Sequence, residues 1–125
     1  KIIENKMSNN IFINDSTSKL DVFYKKASIF CLLSKWEGFC NVVSEALSFG
    51  IPCIGLKSSD GICDLIQHDF NGLLAENYKN ESEIFDCFDK LMANNDLRLK
   101  LGNNAINSVK KYNKVKVFNM WKQNI

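Results

Sequence analysis

The stretch SIFCLLSKWEGFCNVVSEALSFGIPCIGL, residues 28–56, decides the fold. Its two ends, 28–34 and 52–56, are near-continuous apolar runs of strand length. Between them NVVSEALSF (41–49) carries apolar residues at helical spacing and closes on Gly50, with Pro52 just beyond, a common helix stop. Working outward, NIFIN (10–14) reads as a further buried strand, and TSKLDVFYKKA (17–27) as a helix capped by Thr17 or Ser18. KSSDG (57–61) is a turn by composition, ICDLIQH (62–68) a helix, and NGLL (71–74) a turn leading into a brief strand. From 81 onward the pattern is helical, with Ile84, Phe85, Phe88, Leu91 and Met92 on one stripe, a second helix starting at Asp96, and a last one packing through Phe118 and Trp121. Alternation of helices with apolar strands predicts an α/β class: a doubly wound parallel sheet with helices on both faces and C-terminal helices. Ligands of such sheets bind beyond the carboxyl ends of the strands, where SKWEGFC (34–40) is expected to lie.

Bulk properties narrow the function. At 125 residues, 46% of them hydrophobic, the chain has the length of one domain and enough apolar material for a core. Sixteen basic and 14 acidic residues, mixed along the chain for a net charge of +2, argue against nucleic acid as the main partner, because phosphate neutralisation needs a concentrated basic surface. KKYNKVK (110–116) reads as the solvated end of a helix. No apolar run approaches the roughly 18 residues of a membrane span. The first residues, KIIENK, carry no leader and no initiator Met, as expected of a piece of something longer. The five cysteines show no C-x-x-C spacing, which argues for neither a disulfide framework nor a zinc site; Cys31 and Cys53 read as small core residues of a reducing compartment.

Glu37 and Glu45 stand eight positions apart in this apolar setting. With Asn41 as N-cap and about 100° per residue, Val42, Val43, Ala46 and Leu47 face the sheet while Asn41, Ser44, Glu45 and Ser48 form the opposite arc. Backbone N–H groups of GFCN at a helix N-terminus make an anion site, and Gly38 allows close approach. Carboxylates beside it are strong acceptors for pairs of sugar hydroxyls. These parts suit a ligand with both phosphates and hydroxyls, although spacing alone leaves a capping or surface role for both glutamates open.

EGFCNVVSEALSFGIPCIG (37–55) resembles the signature of retaining glycosyltransferases of the two-Rossmann-domain (GT-B) class, in the group 1, GT4-like family: Glu, seven residues, Glu, a small-residue helix, Gly, Pro and a strand. LDVFYKKASIFCLLSKWEGF is similar to the family's segment ahead of this signature. SSDGICDLIQHDFNGLLAEN, with Gly61, Asp64 and an Asn-Gly-Leu-Leu turn, is similar to the segment after it. LRLKLGNNAINSVKKYNKVKVFNMW is similar to the closing helices, so the likeness spans about residues 10–121. The resemblance implies a Rossmann-like second domain of a GT-B fold, with residues 1–125 as a partial C-terminal nucleotide-sugar-binding domain and the N-terminal acceptor domain absent. It implies that Glu37 is the catalytic-site carboxylate contacting the donor sugar, and that Glu45 accepts from the ribose. The backbone of Gly38, Phe39, Cys40, Asn41 and Val42 would line sugar and diphosphate, and the end of strand 10–14 and the loop after strand 28–34 would flank the base. The donor implied is a UDP-hexose or UDP-amino-hexose, with no cofactor or metal required. The acceptor implied is a glycan or lipid-linked saccharide, in polysaccharide biosynthesis by a cytoplasmic enzyme with possible peripheral membrane association.

Two departures stand out. Position 40, often Gly or Pro in this family, is Cys, and the FCN run looks most like branches that transfer amino-hexoses or galactose. The basic pair that clamps the diphosphate in this family would lie upstream of residue 1, so the isolated chain is expected to bind nucleotide weakly and not to turn over. His68, the sole histidine, reads as a loop residue. A nucleotide-sugar epimerase would need a different acidic and histidine pattern, and a receiver an acidic cluster after its first strand. A non-catalytic nucleotide-binding or scaffold module of the same fold is the alternative that the sequence leaves standing.

Overall fold

The computed structural model describes residues 10–112 together with Asn119 and Lys122. Its elements run α1 (Leu20–Tyr24), β1 (Phe30–Cys31), α2 (Asn41–Ser48), β2 (Cys53–Leu56), α3 (Asp60–Cys63), β3 (Gly72–Ala75), α4 (Glu81–Ala93) and α5 (Asn95–Val109), closed by a 3-10 turn at Lys110–Tyr112. The strands form one sheet in the order β1-β2-β3, parallel throughout, with Phe30 opposite Cys53 and Cys53 opposite Gly72. Because strand side chains alternate between faces, the sheet divides the core in two. Phe30, Leu32, Cys53 and Leu74 pack with Tyr24 of α1, Val43, Ala46 and Leu47 of α2, Ile62, Ile66 and Ala105. Cys31, Ile54, Leu56, Leu73 and Ala75 pack on the other side with Ile84, Cys87 and Leu91 of α4 and Leu101 of α5. The expected doubly wound α/β architecture is present.

Several local expectations are corrected. Residues 10–14 are not a strand: their backbone is irregular, and Phe12 and Ile13 are exposed. Apolar composition cannot make a strand without a neighbour to share hydrogen bonds, and among the described residues nothing pairs with the outer edge of β1. β1 itself keeps two ladder residues of the seven expected in 28–34. The helix expected over 17–27 shortens to Leu20–Tyr24. Its N-cap is Lys19, without a side-chain cap, because the Thr17 hydroxyl is used to accept the Lys19 N–H at 3.1 Å. The helix expected over 62–68 is a single turn starting at Asp60. On α4 the buried stripe is Ile84, Cys87 and Leu91, with Phe88 half-buried, whereas Phe85 and Met92 face solvent: the small thiol at 87 sits at the centre of the packed face. Asn95 rather than Asp96 begins α5, since Asn94 is the cap that accepts the Leu97 N–H at 2.9 Å. The last expected helix, 114–123, lies outside the described residues apart from Asn119 and Lys122.

The Asn-Gly turn before β3 is a polar fastener. Asn71, fully buried, accepts from the Gln67 N–H and donates to Leu65 O and to Ser108 Oγ, each within 2.9 Å, tying the turn to α5. The exposed edge of β3 is blunted by side chains: Leu74 N–H donates to His68 Nδ1 at 2.9 Å and Glu76 N–H to Glu83 Oε2 at 2.7 Å. His68 is therefore a structural loop residue, as expected.

α2 and α5 meet through glycine. Gly50 ends α2 with φ +74, a conformation that side-chain-bearing residues rarely adopt, and a Cβ on Gly102 of α5 would overlap the Gly50 carbonyl oxygen. Gly102→Ala should therefore lower stability by about 1–3 kcal/mol in urea denaturation. An unhindered helix interior would instead gain roughly 1 kcal/mol from the same change.

Candidate functional site

Strand direction puts the loops after β1, β2 and β3 on one edge of the sheet, and residues 34–40 form the first of them. The loop is seated by α3. A Cβ on Gly61 would overlap the carbonyl oxygen of Gly38 and crowd that of Glu37 at 2.6 Å, so only glycine lets α3 approach this backbone. Gly38 itself faces open space, with no atom within 4 Å of where its Cβ would stand. Phe39 packs edge-on against Tyr112 at 5.2 Å between ring centroids, and the Tyr112 hydroxyl donates to Asp64 O at 3.4 Å. The loop is thus held from α3 on one side and from the end of α5 on the other.

The N-terminus of α2 follows directly. Cys40 rather than Asn41 is the N-cap, because Ser44 N–H already bonds to Cys40 O at 3.0 Å and Asn41 is the first helical residue. A buried thiol is a poor acceptor, and no side chain caps this helix. The first-turn N–H groups are therefore left for water or an anion. Burial, with the Glu37 carboxylate beside it, pushes the Cys40 thiol up to about 11. Burial first, and then Cys87, pushes the Cys31 thiol likewise up to about 11. Neither thiol is a nucleophile near neutral pH.

Glu45 lies on the outer face of α2, as expected, while Val42, expected to face the sheet, is exposed. The carboxylate is oriented by a residue that sequence reasoning missed: the Tyr24 hydroxyl donates to Glu45 Oε2 at 3.1 Å. Tyr24 is buried against Phe30 and Phe49, and burial, then the bond to Glu45, pushes its hydroxyl up to about 12. It therefore remains a donor at all ordinary pH values. Glu45 also lines a groove of about 360 Å³ between α2 and α5, with Ser44, Ser48, Ile106, Val109, Lys110 and Tyr112. Glu37 is half-buried in the loop and does not line that groove. The two carboxylates therefore do not share that groove. Of the other expected site residues, Gly38, Phe39, Asn41 and Val42 are exposed along the loop and first helical turn, and Cys40 offers only its backbone.

Residues 2–108 match the family of glycosyl transferases group 1. The chain belongs to that family. A glycosyltransferase of Haemophilus influenzae is 33% identical over 106 residues, which are 85% of this chain and 30% of that protein. A poly(glycerol-phosphate) alpha-glucosyltransferase of Bacillus subtilis is 27% identical over 121 residues, 97% of this chain and 18% of the relative. The chain thus spans about a third or less of the length of these relatives. Among solved structures, the Anabaena protein HepE in complex with UDP-glucose superposes with a TM-score of 0.85 at 18% identity, over 96% of this chain and 33% of that one. At that identity the likeness shows the shared GT-B fold. Among the described residues no helix is long and apolar enough to cross a membrane.

Two outcomes are expected. Tyr24→Phe should leave the fold intact by circular dichroism but lower its stability by about 1 kcal/mol in urea denaturation, the net worth of one hydrogen bond whose acceptor water can reach. Iodoacetamide should label Cys31 and Cys40 at pH 8.5 about a hundredfold more slowly in the native chain than in urea, because the native thiols ionise two pH units higher. The rate difference should close as pH rises toward 11, as read by peptide mass spectrometry.

Proposed function

We propose that this chain is the donor-binding, C-terminal half of a retaining hexosyltransferase that takes a UDP-hexose or UDP-amino-hexose, and that an N-terminal domain of a longer polypeptide binds the acceptor. The observation that carries this reading is the uncapped N-terminus of α2, flanked by Glu37 and Glu45 and opened to ligand at Gly38. On this reading the first-turn N–H groups and the positive end of α2 hold the diphosphate and stabilise the charge that develops on it as the glycosidic bond breaks. Glu45, aimed by Tyr24, accepts from the ribose hydroxyls. Glu37 accepts from hydroxyls of the donor sugar and so fixes the position of its anomeric carbon.

The chemistry of these side chains asks for no metal or cofactor, since the helix end supplies the positive field. UDP-glucose bound to HepE and the alpha-glucosyltransferase activity named for the Bacillus relative support the choice of donor class. Five free thiols suit a reducing cytoplasm, and the acceptor class is a glycan or lipid-linked saccharide of polysaccharide assembly.

The test is an NMR titration of the chain with UDP, UDP-glucose and UDP-N-acetylglucosamine. Saturable shifts confined to about residues 37–48, weakened at least tenfold in Glu45→Ala, are expected. A Glu45→Ala variant that binds unchanged would contradict the donor-site reading; a folded chain with no shifts at millimolar nucleotide calls for the same titration on the longer polypeptide, where absence of shifts would identify a scaffold domain instead.

A further inference from the structure

A second cleft opens on the same edge of the sheet. Lys35 and Trp36 follow β1, Ser58 follows β2, and Asn77, Tyr78 and Lys79 follow β3; together they line a cavity of about 380 Å³. Its walls are aromatic and cationic. Trp36 is 80% exposed, an unusual position for the largest apolar side chain, and it immediately precedes Glu37. Lys35 Nζ stands between the rings, 5.5 Å from the Trp36 centroid and 5.4 Å from that of Tyr78, and Lys79 Nζ lies 6.0 Å from Tyr78. These contacts hold the two ammonium groups at the mouth of the cleft.

No carboxylate lines the cavity. Lys57 at the same edge pairs with Glu76, and Lys25 and Lys90 pair with aspartates, whereas neither Lys35 nor Lys79 joins an ion pair among the described residues. The loop that carries Tyr78 and Lys79 is set by Asn77, which lines the cleft and whose Oδ1 accepts the Lys79 N–H at 2.9 Å and whose carbonyl accepts the Asn80 N–H.

We propose that this cleft is a saccharide subsite and that its ligand is a phosphorylated saccharide. A sugar ring has an apolar face of C–H groups that lies against an aromatic ring, and hydroxyls for Ser58 and Asn77. Its phosphate meets two ammonium groups that no protein carboxylate neutralises. A neutral sugar would leave both charges unanswered, and inorganic phosphate would leave both rings uncovered. Trp36 belongs to the same loop as Glu37, and the saccharide class of the ligand rests on the donor-site reading above.

The experiment follows the Trp36 indole N–H and the Tyr78 and Lys79 amides by NMR, with Trp36→Phe to assign the indole signal. Glucose 6-phosphate, glucose, inorganic phosphate and UDP are titrated separately. Glucose 6-phosphate is expected to shift these three signals saturably, glucose and phosphate each to bind at least tenfold more weakly, and Lys35→Ala/Lys79→Ala to lose about tenfold in affinity for the sugar phosphate. The affinity should fall severalfold in 0.5 M salt. Equal binding of inorganic phosphate, or of glucose, would overturn the proposal by reducing the cleft to an anion patch or a neutral sugar platform. No shift with any saccharide, while UDP still shifts 37–48, would overturn the subsite and leave the donor site standing. UDP shifts at Trp36 and Tyr78 in place of 37–48 would overturn both.

Discussion

The approach of α3 to the loop after β1 is the contact on which the rest of the site depends. Gly61 meets the Glu37 and Gly38 carbonyls so closely that no side chain fits between them. A similar backbone approach recurs at Gly72 against Cys53 O between neighbouring strands and at Gly102 against Gly50 O between α5 and the end of α2, so glycine permits close approach at several points of this small domain. The contact at Gly61 differs in consequence, because what it positions is the loop of the proposed donor site. It fixes the backbone of Glu37 against α3, leaves the other side of Gly38 open, and so decides where the uncapped start of α2 points.

Around that contact the polar groups divide by task. Some close the fold: Asn71 binds its turn to α5, and His68 and Glu83 occupy the outward N–H groups of β3, protecting the edge from pairing with another chain. Others are left with unused capacity. Glu45 has one oxygen bound by Tyr24 and lines an open groove, the first-turn amides of α2 have no cap, and Lys35 and Lys79 rest on aromatic rings without carboxylate partners. The α2 amides and the two lysines lie at the carboxyl end of the sheet, where parallel α/β sheets bind their ligands, and Glu45 faces the groove between α2 and α5. The five thiols belong to the first group, being free and raised in pKa mainly by burial.

Much of this was legible in the sequence because the signals were local. The apolar runs at 52–56 and 71–74, the stop at Gly50 and Pro52, and the spacing of Glu37 and Glu45 each rest on a few neighbouring residues, and each falls on or next to the element expected. The errors came where a neighbour distant in sequence decides. Residues 10–14 have strand composition but no partner for their backbone among the described residues. Phe85 and Met92 fit the helical stripe, yet the sheet selects the face that carries Cys87. Cys40 displaces Asn41 as N-cap because the buried thiol anchors the loop end, a preference that capping statistics do not contain. Tyr24 was invisible as a site residue because its hydroxyl meets Glu45 across 21 positions of chain. Its signal was a tyrosine on the buried side of a short helix, where the hydroxyl must find a partner.

The most direct test of this account is the affinity for UDP of Gly61→Ala, measured beside Gly38→Ala with both variants shown folded by circular dichroism. The added methyl at 61 must push the loop away from α3, so UDP binding should weaken at least tenfold and the amides of 37–40 should shift even without ligand. Gly38→Ala adds its methyl to open space and should leave the stability of the fold unchanged. A Gly61→Ala chain that binds UDP as the parent does, with the 37–40 amides unmoved, would show that the loop is positioned by something else and would contradict the account.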